Sequence, residues 1–261
     1  MRSLNIAATG MLAQQLNVEV ISNNIANMNT TAFKRQRAEF QDLLYQEQER
    51  VGSASSDTGT IVPAGIQVGV GVKTAAVYRI TEQGNLISTN NTYDIAIQGN
   101  GLFSVTLPSG DTAYTRAGSL QLSPTGTIVT TDGNPVAPGL TIPANAISVT
   151  INPSGEVLAK VAGTIAPQNV GQLTLTNFAN EAGLEAIGDN MFLETPASGA
   201  AVGGVPGTPG FGTILQGFVE SSNVNVVQEV TNLITAQRAY EMNSKVIEAS
   251  DEMMRSLTQM R

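Results

Sequence analysis

The same seven-residue apolar pattern occurs at both ends of the chain, and it constrains the fold more than any other feature. Near the N-terminus, one row of residues spaced seven apart is entirely apolar and consists of Leu4, Met11, Val18 and Ile25. A companion row has one polar member and consists of Ala7, Gln14, Ile21 and Met28. A seven-residue repeat keeps its members on one stripe of an α-helix, as in coiled coils. Residues 1–30 are therefore predicted to form a helix suited to coiling.

The C-terminal repeat extends over more of the chain. Its members are Val226, Leu233, Tyr240, Ile247 and Met254. No Gly or Pro follows Gly217, so one uninterrupted helix is predicted over residues 224–261. We expect the two terminal helices to coil with each other and with other subunits. The alternative is that both helices pack against the middle of the chain as ordinary core.

The middle of the chain has a different pattern. Residues 76–223 contain short alternating runs such as YDIAIQG, GLFSVTLPSG and AISVTINPSGEV, separated by Gly- and Pro-rich turns. Such runs are typical of antiparallel strands. The region is predicted to be an all-β domain, a sandwich or a barrel, which makes the whole chain α+β. Residues 31–75 are predicted to connect helix and β domain, with a polar, irregular insertion at 46–65.

The composition excludes several kinds of site. The chain has no Cys, His or Trp, which rules out thiolate and imidazole metal sites, His-dependent nucleophiles and disulfides. Residues 81–237 hold two basic side chains, Arg116 and Lys160, against eleven acidic ones. This acidic balance argues against nucleic acid as a partner. No apolar run has membrane-spanning length, and polar residues interrupt the N-terminus where a secretory signal would need an apolar stretch.

Acidic residues are the remaining candidates for catalysis, because glycoside hydrolysis needs only two carboxylates. The candidates are Asp94, Asp111, Asp132, Glu181, Glu185 and Asp189. Aromatic residues make up only 5% of the chain, and several of these acids lie in turn sequences that favour Asp. A carboxylate enzyme or a carbohydrate-binding β domain is therefore the second hypothesis. We predict no catalytic residue, no cofactor and no metal.

Two further motifs are interpreted as structural. GIQVGVGVKT at 65–74 has Val72 where a phosphate-binding loop needs Gly. KRQR at 34–37 is followed by Glu39 and Asp42 at helical spacing, which predicts a solvated, salt-bridged helix face.

Both ends and two middle segments resemble the bacterial flagellar rod and hook family. The similar segments are NVEVISNNIANMNTTAFKRQRAEFQDLLYQ, DIAIQGNGLFSV, AYTRAGSLQLSPTGTIVTTDGNPV and GFVESSNVNVVQEVTNLITAQRAYEMNSKVIEASDEMM. They occur in the family's order, so the resemblance covers essentially the whole chain. Its length and its 46–65 insertion are most like the distal rod members, with proximal rod and hook members as alternatives.

The resemblance implies a structural, non-enzymatic subunit that is exported through a type III apparatus without signal cleavage. It implies a homo-oligomeric helical tube that spans the periplasm, with terminal helices inside and the β domain outside. The implied partners are proximal rod proteins, the hook protein and the surrounding periplasmic and outer-membrane ring proteins. A distal rod of this kind acts as a driveshaft between motor and hook, and the chain is not embedded in a membrane.

On this basis we predict which residues contact neighbouring subunits. The apolar ones are Leu4, Met11, Val18, Ile21, Ile25, Met28, Val226, Leu233, Tyr240, Ile247 and Met254. Asn23, Asn24 and Asn27 are predicted to bridge subunits, because an amide both donates and accepts without burying charge. The alternative is that these amides face water. Ile61, Val62 and Pro63 are predicted to anchor the insertion as a strut that stiffens the rod.

Overall fold

The computed structural model describes residues 2–49, 65–164 and 166–259. The chain divides into two compact units. Within the described residues, the first unit draws on Met1–Ala26, Gln36–Tyr78 and Asn225–Arg261, and the second on Asn27–Arg35 and Arg79–Val224. The predicted anchors Ile61, Val62 and Pro63 lie outside the described residues.

The first unit contains both terminal helices and two strand pairs. Helix α1 spans Arg2–Ala26 and helix α2 spans Val226–Gln259. The strands are β1 (Gln36–Asp42), β2 (Tyr45–Glu49), β3 (Ile66–Gly69) and β4 (Val72–Arg79, whose last residue belongs to the second unit). β1 pairs with β4, and β2 pairs antiparallel with β3. Residues 46–49 of the predicted irregular insertion are therefore part of a strand.

The helical interpretation of residues 34–42 is wrong, because most of them form β1. Exposure alternates along this strand: Gln36, Ala38 and Phe40 are half-buried, whereas Arg37 and Glu39 are exposed. This period of two is that of a strand with one covered face. Arg37 and Glu39 do form an ion pair, at 2.7 Å, but they are neighbours on one face of a strand.

The second unit contains short strands and one 3₁₀ turn. The strands are β5 (Leu86–Ser88), β6 (Ile95–Gln98), β7 (Leu102–Thr106), β8 (Thr112–Thr115), β9 (Gln121–Leu122), β10 (Ile128–Val129), β11 (Ala146–Ile151), β12 (Glu156–Val161), β13 (Gln168–Gln172), β14 (Leu175–Asn177), β15 (Glu185–Gly188), β16 (Met191–Leu193), β17 (Val202–Gly204), β18 (Thr213–Gln216) and β19 (Phe218–Glu220). The 3₁₀ turn η1 spans Glu181–Gly183.

These strands form one six-stranded sheet and several smaller ones. The large sheet has the order β15-β16-β8-β7-β14-β17, and β11-β12-β13 form a three-stranded sheet. Three pairs complete the unit: β18 with β6, β19 with β5, and β10 with β9. The predicted α+β class, with a helix at each end and a mostly β middle, is confirmed.

Inward-facing apolar side chains fill the core of the second unit. Its most deeply buried members include Ile95, Ile97, Phe103, Val105, Val157, Leu173, Leu175 and Ile214. The hairpin β11–β12 turns at Gly155, whose φ of 82° favours glycine. No helix in the described part of the chain is long and apolar enough to cross a membrane.

Candidate assembly site

Small and polar residues spaced seven apart contribute to the contact between α1 and α2. Ser250 Oγ donates to Ser3 Oγ at 3.3 Å. A Cβ atom added to Gly10 would lie 2.9 Å from the side-chain nitrogen of Asn243, so glycine permits the close approach. Gly10 follows Ser3 by seven residues on α1, whereas its partner Asn243 precedes Ser250 by seven residues on α2. The two helices therefore run antiparallel.

Asn24 joins three elements at the end of this seam. It is 1% exposed. Its Nδ2 atom donates to the Gln36 carbonyl at 2.8 Å and to Glu229 Oε2 at 3.1 Å. Its Oδ1 atom accepts from the Gln36 N–H at 2.8 Å. The amide thus connects α1, β1 and α2 within one chain, a use different from the bridge between subunits that the sequence suggested.

The other two predicted amides have different surroundings. Asn23 is exposed on α1, and Asn27 follows the end of that helix. Asn27 Oδ1 accepts from the Thr30 hydroxyl at 3.1 Å, and the Thr30 N–H donates to the Asn27 carbonyl at 3.2 Å. Asn27 therefore takes part in the turn that ends α1, and its contact with a neighbouring subunit stays a prediction.

The side chains of the predicted apolar rows differ in how deeply they are buried. Ile21 is buried, whereas Leu4, Met11, Val18, Ile25, Leu233 and Ile247 are half-buried. Val226, Tyr240 and Met254 on α2 are exposed, as is Met28 after α1. Further apolar side chains on α2 are also exposed: Val227, Val230, Ile234, Met242, Val246 and Met253. We call the exposed group Val226, Val227, Val230 and Ile234 the α2 apolar surface.

A buried ion cluster lies in the second unit and was not predicted from the sequence. Its centre is Glu220, whose side chain is 1% exposed. Lys34 Nζ lies 2.5 Å from Glu220 Oε1, and Arg116 Nε lies 2.7 Å from Glu220 Oε2. The Gly84 N–H also donates to Glu220 Oε1, at 2.9 Å. The interpretation of Lys34 as a solvated charge is therefore wrong.

Arg116 extends the cluster into the hairpin between β6 and β7. Its guanidinium donates to the carbonyls of Gly101 and Gly99, both at 2.6 Å, and of Ile97 at 3.1 Å. Three carbonyls and one carboxylate thus surround a cation that would be costly to bury alone. The cluster connects the segment before β1, this hairpin and the end of β19.

The surroundings determine the charges in the cluster. Burial raises the pKa of Glu220, but Arg116, Lys34 and the Gly84 N–H together lower it by more, so this pKa lies below its usual value. Burial lowers the pKa of Lys34, and Glu220 only partly opposes this. One sequence signal was available: Arg116 is one of two basic residues among eleven acidic ones in 81–237, and an arginine that becomes buried is almost always paired.

The catalytic alternative gains no support from the carboxylates. Asp111 and Asp132 are exposed in turns, and Glu185 and Asp189 are exposed as well. Asp94 is buried and accepts from Asn91 Nδ2 at 3.0 Å. Within residues 2–49, 65–164 and 166–259, no group of three or more acidic side chains could hold a metal ion.

The fold and these surfaces define a class of protein: a structural subunit in which two terminal helices pack together and leave apolar surface exposed. Comparisons with known proteins agree. Residues 4–34 match the family model "Flagella basal body rod protein". Residues 96–159 match "Flagellar hook protein FlgE/F/G D1 domain", and residues 215–260 match "Flagellar basal body rod FlgEFG protein C-terminal".

Full-length relatives extend this result. The chain is 62% identical to the flagellar basal-body rod protein FlgG of Caulobacter vibrioides, over 100% of both chains. It is 53% identical to FlgG of Agrobacterium fabrum over 97% of both, and 48% identical to FlgG of Buchnera aphidicola subsp. Schizaphis graminum over 99% of both. The chain belongs to the flagellar basal-body rod family, whose members are structural subunits of the flagellar rod.

Proposed function

We propose that this chain is an axial subunit of the distal rod, which assembles into a rigid helical tube and transmits torque from motor to hook. The observation that carries the proposal is the α2 apolar surface. Val227 is 78% exposed, and the other three residues are 40–47% exposed. A contiguous apolar surface of this kind marks an interaction site.

The packing of α1 on α2 supports the same conclusion. The contacts between the helices include Ser, Gly, Asn and Glu residues, and most of the larger apolar side chains of α2 remain exposed. Burying one Val or Ile fully contributes about 1.5–3 kcal/mol. We infer that the terminal helices coil with those of neighbouring subunits in an inner tube, and that the β unit lies outside.

The remaining features of the proposal rest on the family. The chain acts as a non-enzymatic component without a cofactor. Its partners are further copies of itself, the proximal rod proteins, the hook protein and the ring proteins around the rod. It reaches the periplasm through type III export without signal cleavage. Residues 46–65, with Ile61, Val62 and Pro63 as anchors, stiffen the assembly.

An assembly assay with paired variants tests the proposal. Val230→Asp places a carboxylate in the α2 apolar surface, and Thr235→Asp places the same charge roughly 140° around the helix. Both side chains are exposed, so both monomers are expected to keep the helix content of the wild type by circular dichroism. Only Val230→Asp should block filament formation in electron micrographs, because each subunit would bury an unpaired charge. Normal filaments from Val230→Asp would remove the support for this surface.

A further inference from the structure

A cavity of about 440 Å³ lies within the second unit. The end of β4, the hairpin between β6 and β7, the η1 turn and β16 all contribute to its lining. Phe178, Phe192 and Leu102 supply apolar wall, and Arg79 supplies a cation. A concave site with apolar walls and a few polar groups is the usual form of a binding site.

Arg79 is held in place by neutral groups only. Its guanidinium lies 4.5 Å from the centre of the Phe192 ring and donates to the Leu184 carbonyl. Among the residues that the structure describes, no carboxylate forms an ion pair with it. A guanidinium has five N–H donors in a planar fork that matches a carboxylate. Most of this donor capacity is therefore unused.

The other charged residues of the lining differ from Arg79. Lys34 and Arg116 share the carboxylate of Glu220, so each already has an ion-pair partner. Glu181 also lines the cavity, and its influence falls on Lys34. Burial lowers the pKa of Arg79, and no charged neighbour offsets this. A partly desolvated cation without a counterion is stabilised when an anion binds.

We propose that this cavity receives an acidic side chain from a second copy of the chain, with the Arg79 guanidinium binding the carboxylate. The proposal rests on the function proposed above. Residues 81–237 hold eleven acidic side chains against two basic ones. The cavity has the opposite balance, because it is lined by Lys34, Arg79 and Arg116 against Glu181. Subunits of a helical assembly meet through two different surfaces, so a basic cavity can face an acidic surface of the next copy.

Carbodiimide coupling in assembled filaments tests the contact directly. Arg79→Lys provides an amine that forms an amide bond with an adjacent carboxylate while the carbodiimide becomes its urea. Filaments are assembled from equal amounts of ¹⁴N- and ¹⁵N-labelled Arg79→Lys chains, and cross-linked peptides are identified by mass spectrometry. Cross-links at residue 79 that join a light and a heavy peptide are the expected result. Cross-links only within one isotope, or none at residue 79, would overturn the proposal.

The critical concentration for assembly provides a second test, which does not depend on whether Arg79→Lys assembles. Arg79→Gln should raise the critical concentration for assembly about tenfold, the effect of losing one charge-assisted contact. The matched control is Arg37→Gln, which removes an exposed arginine already paired with Glu39 and should leave the critical concentration unchanged. An equal critical concentration for Arg79→Gln and wild type would also refute the proposed contact between Arg79 and a second copy. Failure of the wild type to polymerise at all would instead refute the proposed function.

Discussion

Replacing Glu220 by Gln tests whether the buried ion cluster holds the second unit together. The change keeps the shape of the side chain but removes the negative charge that Lys34 and Arg116 share at 2.5 and 2.7 Å. The two cations are only 10% and 9% exposed, so water cannot easily replace the lost carboxylate. In addition, the new amide group would bring an N–H donor toward one of two cationic donors.

The size of the effect follows from this burial. Removing one partner of a buried ion pair costs about 3–5 kcal/mol, because the remaining charge stays buried without compensation. With a urea dependence of about 2–3 kcal/mol per molar, the unfolding midpoint should fall by roughly 1–2 M. The loss should appear in the second unit, where all three residues lie.

Urea unfolding of the monomer, followed by hydrogen exchange at β6, β7 and β19, measures this loss. The matched control is Glu39→Gln, which removes a carboxylate from the exposed pair with Arg37 and should leave the midpoint unchanged. A decrease of less than about 1 kcal/mol in the free energy of unfolding for Glu220→Gln is typical of an exposed pair. Such a result would refute the conclusion that the ion cluster stabilises the second unit.

Three further outcomes are expected. The pKa of Glu220 is lowered in the folded state. The carboxylate therefore contributes fully to the free energy of unfolding above its ordinary pKa, and this contribution is lost as the pH falls through the lowered pKa. Acid titration of the free energy of unfolding should show this loss in wild type and not in Glu220→Gln. Asn24→Ala should destabilise the helical unit by about 1–3 kcal/mol, because the buried Glu229 carboxylate loses a donor, whereas Ser22→Ala on the exposed side of α1 should be nearly neutral in thermal unfolding followed by circular dichroism. Replacing residues 50–65 by Asn-Gly, a two-residue turn that suits the β2–β3 pair, should give filaments that form but bend. Straight filaments of unchanged persistence length in micrographs would place the stiffness elsewhere.

Local sequence patterns determined the elements of the fold. Apolar residues at intervals of seven predicted both terminal helices, since that spacing is a property of the helix itself. Gly- and Pro-rich turns between alternating runs predicted the β region for the same local reason. The sequence pattern gave a wrong prediction at residues 36–42. Charges spaced three and four apart suggested a helix there, but the segment is a strand whose exposure alternates with a period of two.

The partners of individual side chains depended on tertiary structure. The sequence identified Asn24 as unusual in a helix, but only folding brings Gln36 and Glu229 to its amide. Likewise Lys34, Arg116 and Glu220 are far apart in the chain and meet in one buried cluster. Periodicity specifies which residues share a face of one element, whereas burial and charge pairing depend on which elements meet. The seam between the helices shows this: the sequence determined that α1 and α2 form, and their packing determined that Ser3 meets Ser250, Gly10 meets Asn243 and Asn24 meets Glu229.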